Sequence, residues 1–502
     1  MIEIDGQSLS LEQFQAVVLE RSPCQLSTTA RDRVIAGRQV VEKVLAQGDA
    51  VYGVNTGFGD LSNVRIAPAK LAALQERLIL SHCSGLGEPL PDPMVRGMLL
   101  LRANTLARGH SGVRVELIEA LLGLLRADVL PVVPSRGSVG ASGDLAPLAH
   151  LALPLLGKGR VRIDGKERPA TAGLRKAKLR PLGLQPKEGI ALINGTQGMT
   201  SLLALAVLKT RRLVRIADLV AAMSTDALRG TDTAFDRRLH DLRPYPGHRA
   251  SAANLWKLLQ GSKIRESHRK NDVRIQDPYS VRCTPQVHGS VRDLLTDIET
   301  KLRIEMNAVT DNPLVFPDDG EVLSGGNFHG EPMALAADML ALGAAELGSI
   351  SERRIEKLTN AAFSGLPAFL VRDAGLNSGF MVAQVTAAAL VSENKTLCHP
   401  ATVDSIPTSA DKEDHVSMGM WGALKLQQVV ANTQHILAIE LLAAAQGIDL
   451  LRPLTSSAQL ERVHGALRER VPEWTEDREM TPDINIALAF LEEIDPLLEG
   501  LR

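Results

Sequence analysis

"MTSLLALAVLKTRRLVRIADLVAAM", residues Met199–Met223, contains neither glycine nor proline, and its apolar residues recur at spacings of three and four. That period belongs to an α-helix with an apolar face, and over this length it predicts one long helix. The same reading extends outward. "VRDLLTDIETKLRIEMNAV" (Val291–Val309) sets an apolar stripe beside a charged one, as a half-buried helix does. Glu331–Thr359, Gly379–Leu397 and Met420–Ile448 read as three more long helices, Ala-rich and apolar on several faces. Helices of this kind bury one another, so the expected fold is mostly α with a long central helix bundle. Polar groups on helices so buried would need a reason.

The composition agrees. Of 502 residues, 45% are hydrophobic but only 3% aromatic, so the core is built from Leu, Ala, Val and Ile. The 56 basic and 58 acidic residues leave a formal charge of −2, which gives no electrostatic reason to expect nucleic acid or an anionic membrane. No basic segment followed by an apolar run opens the chain, and no uncharged apolar stretch reaches membrane-spanning length. Cys24, Cys83, Cys283 and Cys398 are scattered, without the C-x-x-C spacing of a zinc site or a disulfide framework. They read as reduced thiols of a cytoplasmic protein, and no metal is expected.

Residues 1–200 read differently from 201–502. Their helices are shorter, and loops rich in Gly and Pro interrupt them, which places a boundary near residue 200. The basic excursion over residues 160–187 predicts a short hairpin and a loop. The unusual residues sit in loops: "VYGVNTGFGD" (Val51–Asp60), "LSHCSGLGE" (Leu80–Glu88), "LINGTQG" (Leu192–Gly198), "RIQDPYSVRCTPQ" (Arg274–Gln286) and "PTSADKEDHVSM" (Pro407–Met418). Each alone is an ordinary turn or a wet surface. The last is harder to dismiss, because five titratable side chains in a row fall between two very apolar helices.

"SRGSVGASGDLAPLAH" (Ser135–His150) decides the matter. The run Gly140-Ala141-Ser142-Gly143 suits neither strand nor helix. It can fold onto itself: the amide nitrogen of Gly143 can attack the carbonyl carbon of Ala141. Loss of water, including the Ser142 hydroxyl, then leaves a 4-methylidene-imidazole-5-one ring with an exposed methylene. That ring is an electrophile of a kind no common side chain provides.

With these motifs together, the chain resembles the aromatic amino acid ammonia-lyase family, and within it the histidine-specific members most. The resemblance runs from "YGVNTGFG" through "GSVGASGDLAPLAH", "KEGIALINGTQ", "QDPYSVRC", "NAVTDNPLVF" and "LSGGNFHGEP" to "KEDHVSMG". It implies a helical homotetramer whose active sites draw on more than one subunit. It also implies a cofactor formed from Ala141, Ser142 and Gly143, with none taken from outside. Tyr52 matches the base that removes the β-proton. Asn194 and Arg282 match residues near the substrate's amino and carboxylate groups, where a guanidinium fork suits a carboxylate. Gln276 and Tyr279 match residues beside the electrophile, Tyr279 among the catalytic set, and Phe328 matches an aromatic packed near it.

His82 and Glu413 match the pair that marks a histidine-specific site. An imidazole has two nitrogens that want polar partners, and Glu413 can accept from one while His82 offers a second polar group. The implied reaction is elimination of ammonia from L-histidine to give trans-urocanate. A tyrosine or phenylalanine ammonia-lyase, an aminomutase of the same family and an inactive helical scaffold are the alternatives. One departure stands out: Lys412 occupies a place where the family pattern has an uncharged glutamine. Pointing into the site, it would pair with Glu413. Ionisation of Tyr52 is expected to draw on nearby positive charge or hydrogen-bond donors.

Overall fold

The computed structural model describes residues 1–502 apart from 49, 58, 60–62, 271 and 273, so Phe58 and Asp60 of the "VYGVNTGFGD" stretch lie outside the described residues. Twenty α-helices and nine short strands are present among the described residues, and the strands form four small sheets. The expectation of a mostly α fold holds.

The long helices fall where the periodicity puts them. Met199–Met223 lies inside Gln197–Ala227, and Met420–Ile448 inside Gly419–Leu450. Glu331–Thr359 matches end for end, and the helix read as Gly379–Leu397 starts at Met381. The Val291 helix starts earlier than its stripe suggests, at Thr284, and ends at Met306. Pro285 and Gly289 look like breakers in the sequence. In the structure Pro285 sits in the first turn, where its missing N–H has no partner to lose. Gly289 is there for close approach: a β-carbon on it would come within 2.4 Å of the His248 backbone nitrogen.

The chain forms two compact units. The first comprises Met1–Leu205, Glu299–Asp338 and Pro400–Leu424. Its centre is the helix Asp92–Leu106, in which every residue from Val95 onward is buried, Arg96, Arg102 and Asn104 included. These polar groups do have reasons. Arg96 donates to the carbonyls of Val17 and Val18, closing the end of the helix Leu11–Val18. Arg102 donates to the Asn194 carbonyl and to Gln197 Oε1, both at 2.8 Å. The basic excursion is an antiparallel hairpin, Arg160–Ile163 with Lys166–Pro169, joined to Leu130–Pro131 in a three-stranded sheet and followed by a helix, Ala170–Lys176, that the sequence did not suggest.

The second unit comprises Ala206–Ile298, Met339–His399 and Lys425–Arg502. It buries charge as well as Leu and Ala. Glu440 is fully buried and accepts from Arg354, Ser224 and Ser351. Asp218, also fully buried, accepts from His288, Asn254 and Arg292. A buried carboxylate is tolerable only with such partners. The helix Glu331–Thr359 is long and apolar enough by composition to cross a membrane, but 67% of its most apolar window is buried in the protein, as in a core helix.

Candidate active site

A cavity of about 910 Å³ opens in the first unit. Its wall includes Tyr52, His82, Ser142, Asn194, Phe328 and Glu413, so six of the expected residues, drawn from loops far apart in sequence, meet at one place. Ala141 is also on the wall.

The loop carrying Ala141 and Ser142 is held from both sides. Gly140 and Gly143 have φ of 69° and 71°, the left-handed region that glycine enters freely. Gly143 pairs with Gly195, and the Asp144 N–H donates to the Gly195 carbonyl at 2.7 Å. A β-carbon on Gly143 would lie 2.0 Å from that carbonyl oxygen, so no other residue fits. The Asp144 carboxyl, fully buried, accepts from Ser138 Oγ at 2.9 Å and from the Met199 N–H at 2.8 Å. Burial pushes its pKa up to about 6 against the pull of those donors. On the other side Ser417 Oγ donates to the Gly140 carbonyl at 3.0 Å, and the Met418 N–H to Val139 at 2.8 Å. A tight bend bare of side chains at residue 143 is what ring closure between residues 141 and 143 requires.

Ser142 Oγ donates to Glu413 Oε1 at 2.9 Å, and Thr408 Oγ1 donates to Glu413 Oε2 at 2.7 Å. Lys412 is exposed on the cavity rim, so two hydroxyls and not Lys412 hold the Glu413 carboxylate. Thr408 and Glu413 pair backbone to backbone, and the chain turns between them through Ser409, Ala410 and Asp411, all at positive φ. Three such residues in succession are strained, and strain of this kind persists where the surroundings impose it.

His82 ends the helix Leu71–His82. Burial lowers its pKa, so the ring is neutral at pH 7. Its Nδ1 lies 2.8 Å from the Leu78 carbonyl, which can only accept. The proton is therefore assigned to Nδ1, and Nε2 carries the free lone pair. Asn194 follows the short helix Glu188–Ile193 and is 3% exposed. Its Nδ2 donates to the Asn312 carbonyl at 3.1 Å, while its Oδ1 is buried without a partner.

Tyr52 departs from expectation. Burial raises the pKa of its phenol; the Gly59 N–H opposes this, but the carboxylates of Glu413 and Asp311 push it further up. The Glu413 and Asp311 carboxylates thus act against ionisation of Tyr52, while the Gly59 N–H is a donor that favours it.

Gln276, Tyr279 and Arg282 are not on this wall. They belong to the second unit, where Gln276 and Arg282 line another cavity of about 600 Å³. Arg282 lies 4.6 Å over the Tyr279 ring and donates to the Asp277 carbonyl, and Tyr279 is 70% exposed. Residues that motif reading passed over also line the first cavity: Asn312, His329 and His415, the two imidazoles stacked at 5.8 Å. His329 and Asn312 stand inside motifs that carry the family resemblance, and His415 in the charge run. No spacing in the sequence brings them together.

The chain matches the aromatic amino acid lyase family over residues 9–469. It is 56% identical to the histidine ammonia-lyase of Deinococcus radiodurans, over 95% of this chain and 91% of that protein. The crystal structure of histidine ammonia-lyase from Trypanosoma cruzi superposes with a TM-score of 0.92 at 45% identity, covering 100% of this chain and 95% of the other. Tyrosine aminomutase from Streptomyces globisporus superposes with 0.94 at 36% identity, covering 100% of both chains. A tightly bent Ala-Ser-Gly loop with Ala141 and Ser142 on the wall of a cavity and a likeness that spans nearly every residue lead to one conclusion: this chain belongs to the aromatic amino acid lyase family.

Proposed function

We propose that the chain catalyses the non-oxidative elimination of ammonia from L-histidine, giving trans-urocanate. The observation that carries the substrate is the pair His82 and Glu413 on one cavity wall: an acceptor lone pair and a carboxylate that suit the nitrogens of an imidazole. Relatives 56% and 53% identical to this chain are named histidine ammonia-lyase.

Ala141, Ser142 and Gly143 fit the self-formed imidazolone ring. The nitrogen of Gly143 bonds to the Ala141 carbonyl carbon, whose oxygen leaves as water. The Ser142 hydroxyl leaves as a second water together with the Ser142 α-hydrogen. The ring supplies an electrophilic carbon that takes the substrate's amino group and makes ammonia a better leaving group.

The chain's own side chains do the rest. Tyr52 takes the β-proton. Asn194 offers its unpartnered Oδ1 to the amino group. Phe328 lines the same cavity as Ser142. Gln276, Tyr279 and Arg282 act in the cavity of another copy of the chain, in a homotetramer with shared sites. Their place outside the Ser142 cavity and the exposed ring of Tyr279 favour that reading. Arg282 then brings the guanidinium for the substrate carboxylate, and with it positive charge that favours the ionised form of Tyr52.

Mixing the protein with L-histidine and following ultraviolet absorbance tests the reading. Growth of the urocanate band with release of ammonia is expected. No change with L-histidine, but product from L-tyrosine or L-phenylalanine, would overturn the substrate assignment.

A further inference from the structure

Beneath the cavity wall lies a buried ion pair with no direct part in the proposed steps. Lys187 Nζ meets Asp311 Oδ2 at 2.7 Å, and both side chains are fully buried. They are 124 residues apart in sequence. Lys187 has φ of 77°, a left-handed conformation that a side-chain-bearing residue adopts at a cost. A buried pair is expensive to desolvate and is weak support for stability by itself. Its position gives it a use.

The other oxygen of Asp311, Oδ1, accepts from the Asp311-adjacent Asn312 N–H at 2.7 Å and faces Asn194 Nδ2 at 3.4 Å. Asn194 Nδ2 also donates to the Asn312 carbonyl at 3.1 Å. An amide side chain can rotate so that its oxygen and nitrogen trade places. Here it cannot do so without loss, because a carboxylate paired with Lys187 is an acceptor only and the Asn312 carbonyl is another. Both demand the NH₂ end. The oxygen end is left buried and unpartnered on the cavity wall. Arg102, donating to the Asn194 carbonyl, holds the backbone of the same residue.

We infer that Asp311, held in place by Lys187, is the positioning residue that turns the Oδ1 of Asn194 toward the substrate's amino group. An amino group donates hydrogen bonds whether neutral or charged. Its N–H groups are thus matched by Oδ1 and not by an NH₂ group. The inference rests on L-histidine being the substrate.

Asp311→Asn tests it. With Lys187 donating to its oxygen, the new side chain presents NH₂ to Asn194, so one of the two acceptors that hold the Asn194 NH₂ end becomes a donor and the orientation of that amide is no longer fixed. Binding is compared for L-histidine and for 3-(imidazol-4-yl)propanoate, which has the same ring and carboxylate but no amino group. The Michaelis constant for the first and the inhibition constant for the second are measured in wild type and variant. Intact mass confirms in each that two waters have been lost. L-Histidine is expected to bind about tenfold more weakly or worse, the scale of a lost hydrogen bond to a charged group, while the analogue changes less than about twofold. A general distortion would weaken both alike, and that result overturns the inference. Should Asp311→Asn fail to fold, Lys187→Met with Asp311→Leu removes the pair without leaving a lone charge, and the same one-sided loss is expected. Wild-type protein that does not turn over L-histidine refutes the substrate reading instead, and this inference with it.

Discussion

The Ser142 hydroxyl donates to Glu413 Oε1 at 2.9 Å, so the oxygen that the proposed ring formation would remove is the one that engages the carboxylate proposed to bind the imidazole. On the proposed function, dehydration of Ser142 would both create the methylene and vacate an acceptor on Glu413. Ring formation and the opening of the proposed imidazole subsite would then be one event.

Ser142→Ala has no hydroxyl to eliminate. Turnover is expected to fall by several orders of magnitude with the helical fold retained. The check is activity together with intact mass: wild type should be lighter than its sequence by two waters, and the variant should show no methylene. Near-normal turnover would remove the basis for the cofactor.

Gly143→Ala places a β-carbon where only 2.0 Å separates it from the Gly195 oxygen, at a φ of 71°. The bend cannot be kept, so neither can ring closure. A loss of about 1–3 kcal/mol or more in unfolding free energy is expected, read by denaturant titration, and the two-water mass loss should disappear.

Most of the helical frame was legible, because buried Ala- and Leu-rich helices announce themselves by period over many turns. Where the reading slipped, at Thr284–Val291, Pro285 and Gly289 had local meanings that depend on a first turn and on a neighbouring backbone. The site was legible only as pieces. Tyr52, His82, Asn194 and Glu413 stood out as odd residues in loops, but the resemblance, not their spacing, joined them. The Lys187–Asp311 pair left no trace, since two common residues 124 positions apart carry no periodic signal. The sign of the Tyr52 shift was likewise hidden: it depends on burial and on two carboxylates that only folding brings near.

Tyr52→Phe keeps the ring and deletes the ionisable oxygen. Loss of a general base costs about 10²–10⁴-fold, expected here in kcat far more than in KM. The pH profile carries the sign. Burial, with Glu413 and Asp311, raises the phenol's pKa, so its ionised fraction at neutral pH is small and grows with pH. The wild-type kcat/KM should therefore climb from neutral into alkaline solution. Glu413→Gln removes one of the charges that oppose ionisation, and its alkaline limb should move to lower pH. A limb unmoved in that variant would mean that Glu413 does not act on the base.

The amplitude of the Glu413 effect tests specificity. Glu413→Gln keeps the size and one acceptor but loses the charge, and Glu413→Ala leaves an imidazole nitrogen unpaired. A charge-assisted hydrogen bond is worth about 1.5–3 kcal/mol, or roughly 10- to 150-fold in kcat/KM. Alanine should cost more than glutamine. Turnover of L-tyrosine, where it can be detected, should fall less, because a phenol ring gains nothing from a carboxylate placed for imidazole. His82→Leu removes the Nε2 acceptor and should move the ratio of histidine to tyrosine kcat/KM in the same direction. Measured across all three variants, that ratio is expected to drop each time. If both rates fall together and the ratio holds, Glu413 serves the chemistry common to the family, and the choice of imidazole is made elsewhere on the wall.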